Sequence, residues 1–410
     1  MSAGWKHALV IGFTLAVAHR LALTVWLAVA WGVLGSYLPD ARADFHATAD
    51  ARLPVLTTPA EAHLLGVWRR WDAVHYLDLA HNGYRTDQAG STVFGVLTPM
   101  VIAAVAPLVG GSVDVASIIV QTLAFGAALT LLIRLCAVWF DDQALGVAGA
   151  ITTALLPLSF YFAAPMSESI YLALVLGTFY LAVQRRWLPA ALLGCLATLT
   201  RAQGAVMAIV VGLLLIEAHG WRWAYPASWL RAGIRALPAA LLLLLIPAGY
   251  LLFVLYRDSI GLPSLGDTYA NYSYHFFVNP IEGVWINLVW IANNPARALV
   301  AVDVWFLFGS FLMAGIAFFV PKHRRLPLLA YTLLHLAVYI AKINWVYGTT
   351  DQVTFSQSFA RYTLMLFPAV LLMADGARRL PRLGQVALAA IAGVTLLLAS
   401  ALYTVALIGP

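Results

Sequence analysis

The sequence predicts an all-α, polytopic membrane protein, and three observations carry that reading. Of 410 residues, 62% are hydrophobic and only 10% are charged, against roughly 25% charged in soluble globular chains. Mean hydropathy is +0.85. The apolar residues come in long unbroken runs, not in alternating ones. A segment in lipid must satisfy its own backbone hydrogen bonds, so such runs read as helices and not as barrel strands. The expectation is one integral membrane domain over 1–410, with about 10–12 membrane helices.

A bilayer core takes roughly 20 helical residues per crossing. Taken in order, the runs that meet this are near 8–35, 114–139, 145–164, 167–184, 236–256, 299–320, 326–343, 361–376 and 385–408. The first is too long for the core of a signal peptide. Two stretches are irregular. Residues 94–108 form a short apolar run with Pro99 and Pro107, which reads as re-entrant or interfacial; whether it crosses stays open. Residues 188–217 are interrupted by Thr200-Arg201-Ala202-Gln203-Gly204, predicting two short helices that meet at a polar break of the kind that lines cavities. No repeat, low-complexity segment or soluble domain is evident.

Net charge is +6, with basic clusters at Arg185-Arg186, within 222–235, at Lys322-His323-Arg324-Arg325 and at Arg378-Arg379 with Arg382. Basic residues accumulate on cytoplasmic loops. All four clusters share that side if 94–108 does not cross and 188–217 makes a round trip. The loops 36–93, 257–298 and 344–360 then face the other side, and they are rich in Tyr, Trp, Asn and His. This charge reads as topology and anion binding, not as nucleic-acid affinity. Cys136 and Cys195 lie in apolar segments and read as packing residues.

Against this apolar background, RWDAVHYLDLAHNGY at 70–84 stands out. Trp71 followed by Asp72 suits a helix start, with a carboxylate able to cap exposed N–H groups. Leu77, Leu79 and Ala80 suggest a short helix on the membrane surface, and Asn82-Gly83 a C-terminal stop. On a helix from Asp72, His75 and Tyr76 share its face; Asp78 falls off it and reads as solvated. The plainer alternative makes Asp72 only a cap and the rings only an aromatic belt.

Other polar groups recur along the chain. In PLSFYFAAPMSES at 157–169, Pro165 breaks a helix and Ser167 caps the next. Glu168 either completes that cap or lines a cavity. Arg201, a cation inside an apolar segment, is a functional-site candidate by its cost. Gln357, Arg361 and Tyr362 sit at the end of a crossing, where arginine supplies donors matched to phosphate oxygens; Arg257 invites the same reading, and Asp351 is a partner that would make Arg361 structural. The run DTYANYSYHFF at 267–277 carries Tyr269, Tyr272, Tyr274 and His275, suited to a sugar or to the headgroup layer. His19-Arg20, Lys342 and Asp303 are further candidates. No metalloprotease, Walker A, dinucleotide-binding or GxSxG pattern is present.

The ordered set of motifs resembles the PIG-V type mannosyltransferase family, the second mannosyltransferase of GPI-anchor synthesis and its prokaryotic relatives, within the GT-C class. Residues 70–84 are similar to its WD-x-x-H-[FY]…A-x-x-GY signature, and PLSFYFAAPMSESIYLAL at 157–174 to its Pro-x-Ser-Phe-x-Phe…Ser-Glu-Ser-Leu segment. Leu199-Thr200-Arg201-Ala202-Gln203-Gly204 answers its Leu-Thr-Arg-x-x-Gly, and Arg361-Tyr362 with Phe367-Pro368 its late Arg-Tyr…Phe-Pro. The set spans roughly 60–370. One departure is FGVLTP at 94–99, where the family carries Phe-Phe-Pro-Leu-Tyr-Pro; this bears on the acceptor more than on the chemistry.

The resemblance implies a GT-C helix bundle that transfers mannose from a polyprenyl- or dolichyl-phosphate donor to a glycan, lipid or protein hydroxyl. Transfer would occur with inversion on the extracytoplasmic face. It makes Asp72 the general base and leaves the lipid-phosphate charge to Arg361 and Arg201. His75, Tyr76, Glu168, Tyr362, Gln357, His275 and Trp71 are the remaining substrate-binding candidates. No cofactor is required by this scheme; a divalent metal is open but not favoured, with Glu168 the only added ligand. The membrane is the plasma membrane in a bacterium or the endoplasmic reticulum in a eukaryote. The main rival is a lipid-linked-sugar flippase, which needs access from both sides; a non-catalytic scaffold is another.

Overall fold

In the computed structural model, residues 3–34, 37, 51–222, 225, 227–272, 275–346 and 352–405 are described. Tyr274, Asp351 and the side chain of Tyr272 lie outside them. The architecture is all-α and polytopic, as the apolar runs predict. Among the described residues, five helices are long and apolar enough to cross a membrane: Ala3–Leu34, Val113–Trp139, Ala227–Ser259, Val302–Phe319 and Arg382–Thr404. Six shorter apolar helices of 10–17 residues accompany them among the described residues.

Several run lengths need correction, among them the crossing expected at 361–376, which is two helices, Phe359–Thr363 and Phe367–Ala377. The helix expected over 145–164 is Gln143–Leu155. It stops two residues before Pro157, and the chain then takes a single 3₁₀ turn, Ser159–Phe162. The crossing expected at 236–256 begins instead at Ala227 and carries Pro238 internally. At 188–217 the chain forms Trp187–Thr200 and Met207–Ala218 around a 3₁₀ turn at Ala202–Val206, with Arg201 extended between them. Gly204 is required at this break, because a Cβ there would meet the backbone of Ala197 and Thr198. Residues 86–93 and 97–109 are two helical pieces meeting at 109°, a broken span or a re-entrant loop.

The chain divides into two compact units. The first comprises Met1–Arg134, Ala144–Ala173 and Met373–Pro410. Here Ala3–Leu34 packs on Arg382–Thr404, joined by the Trp26 indole donating to Leu397 O at 2.8 Å. Gly12 lets the first helix approach Gly126 and Thr130 of Val113–Trp139, the small-residue contact that membrane helices favour.

The second unit comprises Leu135–Gln143 and Leu174–Leu372. Trp187–Thr200 packs on Leu245–Ser259, where Gly249 lies against the Cys195 carbonyl. This unit also holds a small antiparallel sheet that the sequence does not predict. Its strands are β1 (His275–Phe277), β2 (Lys342–Trp345) and β3 (Val353–Thr354), in that order, with His275 opposite Asn344. The helix expected over 326–343 ends at Ile340, where the chain turns extended to join this sheet.

Candidate functional site

The sequence-predicted candidates fall into two groups, one in each unit. In the first unit, Trp71, Asp72, His75, Tyr76 and Glu168 lie in or near the helix Asp72–Asn82. Asp72 is not the cap of that helix but its first residue; the N-cap is Trp71, at φ 52° and ψ −132°. A tryptophan in this region is strained, at a cost on the order of 1–3 kcal/mol. The residues before it hold the strain in place. Arg69 grips Asp114 through Nε and Nη2 at 2.8 and 2.7 Å, and donates from Nη1 to Pro54 O at 2.9 Å. Arg70 donates to the carbonyls of Thr404 and Gly66, each at 2.8 Å, and its guanidinium lies 4.5 Å above the Trp31 ring. Both arginines are thus anchors of the turn that presents Asp72.

Asp72 and His75 are half-buried, whereas Tyr76 is buried. The Tyr76 hydroxyl donates to Ser167 Oγ at 2.9 Å, so the 70–84 motif and the 157–169 motif meet. Glu168, next along and fully buried, is the first residue of the helix Glu168–Val183, in the turn where a carboxylate suits the positive helix end. His75 Nδ1 lies 2.7 Å from Ser91 Oγ and 3.1 Å from Arg52 Nη1, and its ring stacks on Phe94 at 5.5 Å. Burial holds the imidazole below its ordinary pKa of 6.5; the Asp72 and Asp78 carboxylates oppose this and Arg52 adds to it. Gly83 ends the helix at φ 76°, its N–H donating to Leu79 O at 3.1 Å.

Asp78 departs from the expectation of a solvated residue. It is 1% exposed, accepting from Asn82 at 2.8 Å and pairing with Arg85 at 3.2 Å. Leu77, Leu79 and Ala80 are likewise buried, so this helix packs into protein instead of resting on lipid. His19 lies 3.1 Å from Ser159 Oγ, and Arg20 donates to Thr122 at 3.1 Å beneath the Trp68 ring.

In the second unit the cations gather about Tyr362. Arg201 lies 5.1 Å from the centre of its ring, and Lys342 Nζ donates to its hydroxyl at 2.9 Å. Tyr339 stacks on it at 4.8 Å. Arg361 precedes it in the short helix Phe359–Thr363 and is buried. That helix starts from Ser358 in the left-handed region, at φ 66°. The partner of Asp303 is found here: its Oδ1 accepts from Ala360 N at 2.7 Å, and Ser358 and Phe359 direct backbone N–H groups at the same carboxylate.

His275 and Gln357 meet through Asn344. Its amide lies 3.4 Å from the His275 ring nitrogens and donates to Gln357 Oε1 at 3.3 Å. Lys342 and Asn344 are two residues apart on β2, hence on one face of the strand. Arg257 is tied into its own loop: it is buried and donates to Pro263 O at 2.7 Å and Thr268 Oγ1 at 3.0 Å. Among the described residues, no three His, Cys, Asp or Glu side chains cluster in a way that could hold a metal ion.

Two arrangements follow. A half-buried carboxylate stands beside an imidazole on a strained helix start. In the other unit, Arg201 and Lys342 flank one phenol, with Arg361 next to it in the chain, residue types suited to phosphate oxygens. Arg52, Ser91 and Asn344 belong to no motif and carry no signal in the sequence, and Lys342 carries only a weak one.

No protein-family profile matches the chain. No curated protein matches it either. Among solved structures, it is similar to ArnT from Cupriavidus metallidurans bound to undecaprenyl phosphate, at 13% identity and a TM-score of 0.45, covering 87% of this chain and 62% of that one. It is similar to the Archaeoglobus fulgidus oligosaccharyltransferase in complex with Zn and sulfate, at 13% identity and a TM-score of 0.40, covering 83% and 49%. A third likeness is to the archaeal oligosaccharyltransferase AglB from Archaeoglobus fulgidus with an inhibitory peptide and a dolichol-phosphate, at 10% identity and a TM-score of 0.42, covering 95% and 55%. The chain therefore spans 49–62% of the length of these three.

Proposed function

We propose that this protein is a membrane glycosyltransferase of the GT-C class that moves a sugar from a polyprenyl-phosphate carrier to an acceptor hydroxyl. The observation that carries the reading is the pairing of motifs that are remote in sequence. The 70–84 motif reaches the 157–169 motif through Tyr76 and Ser167, at 2.9 Å. The 199–204 motif reaches the 361–362 motif through Arg201 and Tyr362, at 5.1 Å. Residues that only cap helices or form an aromatic belt need not meet in this way.

In the proposed reaction Asp72 takes the proton of the acceptor hydroxyl as its oxygen attacks the anomeric carbon. The bond from that carbon to the carrier phosphate breaks on the opposite side, and configuration inverts. The proton ends on Asp72 and the electron pair on the phosphate. A base must come within hydrogen-bond reach of the proton it removes, and a half-buried aspartate at a helix start is accessible for that. The phosphate gains one negative charge as it departs, which the motif resemblance leaves to Arg361 and Arg201, with Lys342 beside Tyr362. One base serving an in-line displacement needs no second catalytic carboxylate, unlike a glycosidase pair. Mannose as the sugar, and the extracytoplasmic face as the side, rest on the motif resemblance and the charge bias of the loops.

The test is to supply purified protein in liposomes with polyprenyl-phosphate mannose, the corresponding glucose and arabinose carriers, and candidate glycan, lipid and peptide acceptors. The reading expects sugar to leave its carrier and appear covalently on an acceptor. Sugar that changes leaflet while still carrier-linked would make the protein a flippase and overturn it.

A further inference from the structure

The hydrogen bonds around His75 define which of its nitrogens carries the proton. A guanidinium donates hydrogen bonds and cannot accept them, so the Arg52 Nη1 group, 3.1 Å from His75 Nδ1, requires a lone pair there. The Ser91 hydroxyl, at 2.7 Å from the same nitrogen, has two choices. Accepting from an Nδ1–H would leave that N–H facing the N–H of Arg52. Donating to Nδ1 agrees with Arg52, which also donates to Ser91 Oγ at 3.4 Å. The single lone pair of Nδ1 thus has two donors within reach, the Ser91 hydroxyl and the Arg52 group, the latter divided between Nδ1 and Ser91 Oγ. The ring is held in plane by Phe94, stacked at 5.5 Å.

The geometry points to Arg52 and Ser91 as positioning residues that lock His75 in its Nε2–H tautomer, making it a hydrogen-bond donor on the face that carries Asp72 and not a second base. The role beside Asp72 rests on the proposed glycosyl transfer; the tautomer does not. The two bases of a motif such as WDAVH then have separate duties. Asp72 accepts the proton, and His75 offers its remaining N–H to an oxygen of the acceptor or of Asp72. The charged groups bearing on the ring are Arg52, Asp72 and Asp78, the last paired with Arg85. Burial and Arg52 keep it neutral against the two carboxylates.

The test is nitrogen NMR of ¹⁵N-histidine protein in nanodiscs without substrate, with the His75 signal assigned by its loss in His75→Gln. The expected result at pH 7.5 is an unprotonated Nδ1 and a protonated Nε2. An Nδ1–H tautomer, or an even mixture, overturns the proposal whether or not sugar transfer is found. Arg52→Gln removes a cation that disfavours the imidazolium, so it is expected to raise the titration midpoint of His75 and to mix the tautomers. Arg52→Lys, still a donor and a cation, should restore the wild-type spectrum. An unchanged spectrum in Arg52→Gln excludes Arg52 as the lock. In turnover, His75→Gln keeps an N–H donor and should lose markedly less activity than His75→Ala, which keeps none; equal losses in the two would overturn the donor role. Loss of about 100-fold or more in His75→Gln, the usual contribution of a general base, would make His75 a base after all.

Discussion

Replacing Arg69 by methionine would leave the Asp114 carboxylate buried without its guanidinium. The pair is bidentate, at 2.8 and 2.7 Å, with side chains only 3% and 8% exposed. Charge-assisted forks of this kind are among the stronger protein hydrogen bonds, and removing one member of a buried pair costs about 3–5 kcal/mol because the other charge stays desolvated. Removing both members recovers that desolvation. Arg69→Met with Asp114→Leu should therefore cost only about 1 kcal/mol, about 2–4 kcal/mol less than either single replacement. Equilibrium unfolding in mixed micelles measures the three variants. Because Arg69 steadies the turn that presents Asp72, the single variant should also lose turnover, and the double variant should regain part of it. A single variant within about 1 kcal/mol of wild type, or a double variant as unstable as the single, would refute the anchoring role.

Other expectations follow from the same contacts. Gly204→Ala drives a Cβ into the backbone of Ala197 and Thr198 and should destabilise by about 1–3 kcal/mol; thermal unfolding within error of wild type would contradict this. Lys342→Met removes the cation that donates to Tyr362 at 2.9 Å and should lower kcat/KM for the lipid-phosphate donor by about 10–100-fold; an unchanged value would remove Lys342 from the site. The pH dependence runs through His75, whose folded pKa lies below 6.5 because of burial. Its contribution to stability is complete above that value and is lost as pH falls below it, since the unfolded chain then binds the proton more readily. His75→Gln should accordingly reduce the decline in unfolding midpoint between pH 7.5 and 5.5. An equally steep decline in the variant would assign that dependence to other groups.

Much of the fold is legible in the sequence because lipid imposes a simple rule of long apolar helices. The break at Arg201 and the stop at Gly83 are also legible, since a charge inside an apolar run and a glycine after a helical pattern each have a local cause. Elements that depend on remote partners are not. Asp78 looks solvated until the turn after Gly83 returns Arg85 to it. Arg257 looks available until its loop closes on Pro263 and Thr268. Asp303 and Ala360 lie 57 residues apart, and nothing local links them. The same holds for Arg52, whose part in the site comes only from its approach to His75. Motifs identify Asp72, Arg201, Arg361 and Tyr362 as candidates, but Lys342 and Asn344 enter through a strand that the all-helical expectation leaves out.

The central claim is that the carboxylate of Asp72 receives the acceptor's proton during sugar transfer. Its most direct measurement is single-turnover transfer by Asp72→Asn, with carrier binding followed separately in the same preparation. The account predicts a fall of about 100- to 10,000-fold in the chemical step with carrier affinity retained. Transfer within about tenfold of wild type, in a variant that is folded and binds the carrier, would contradict it.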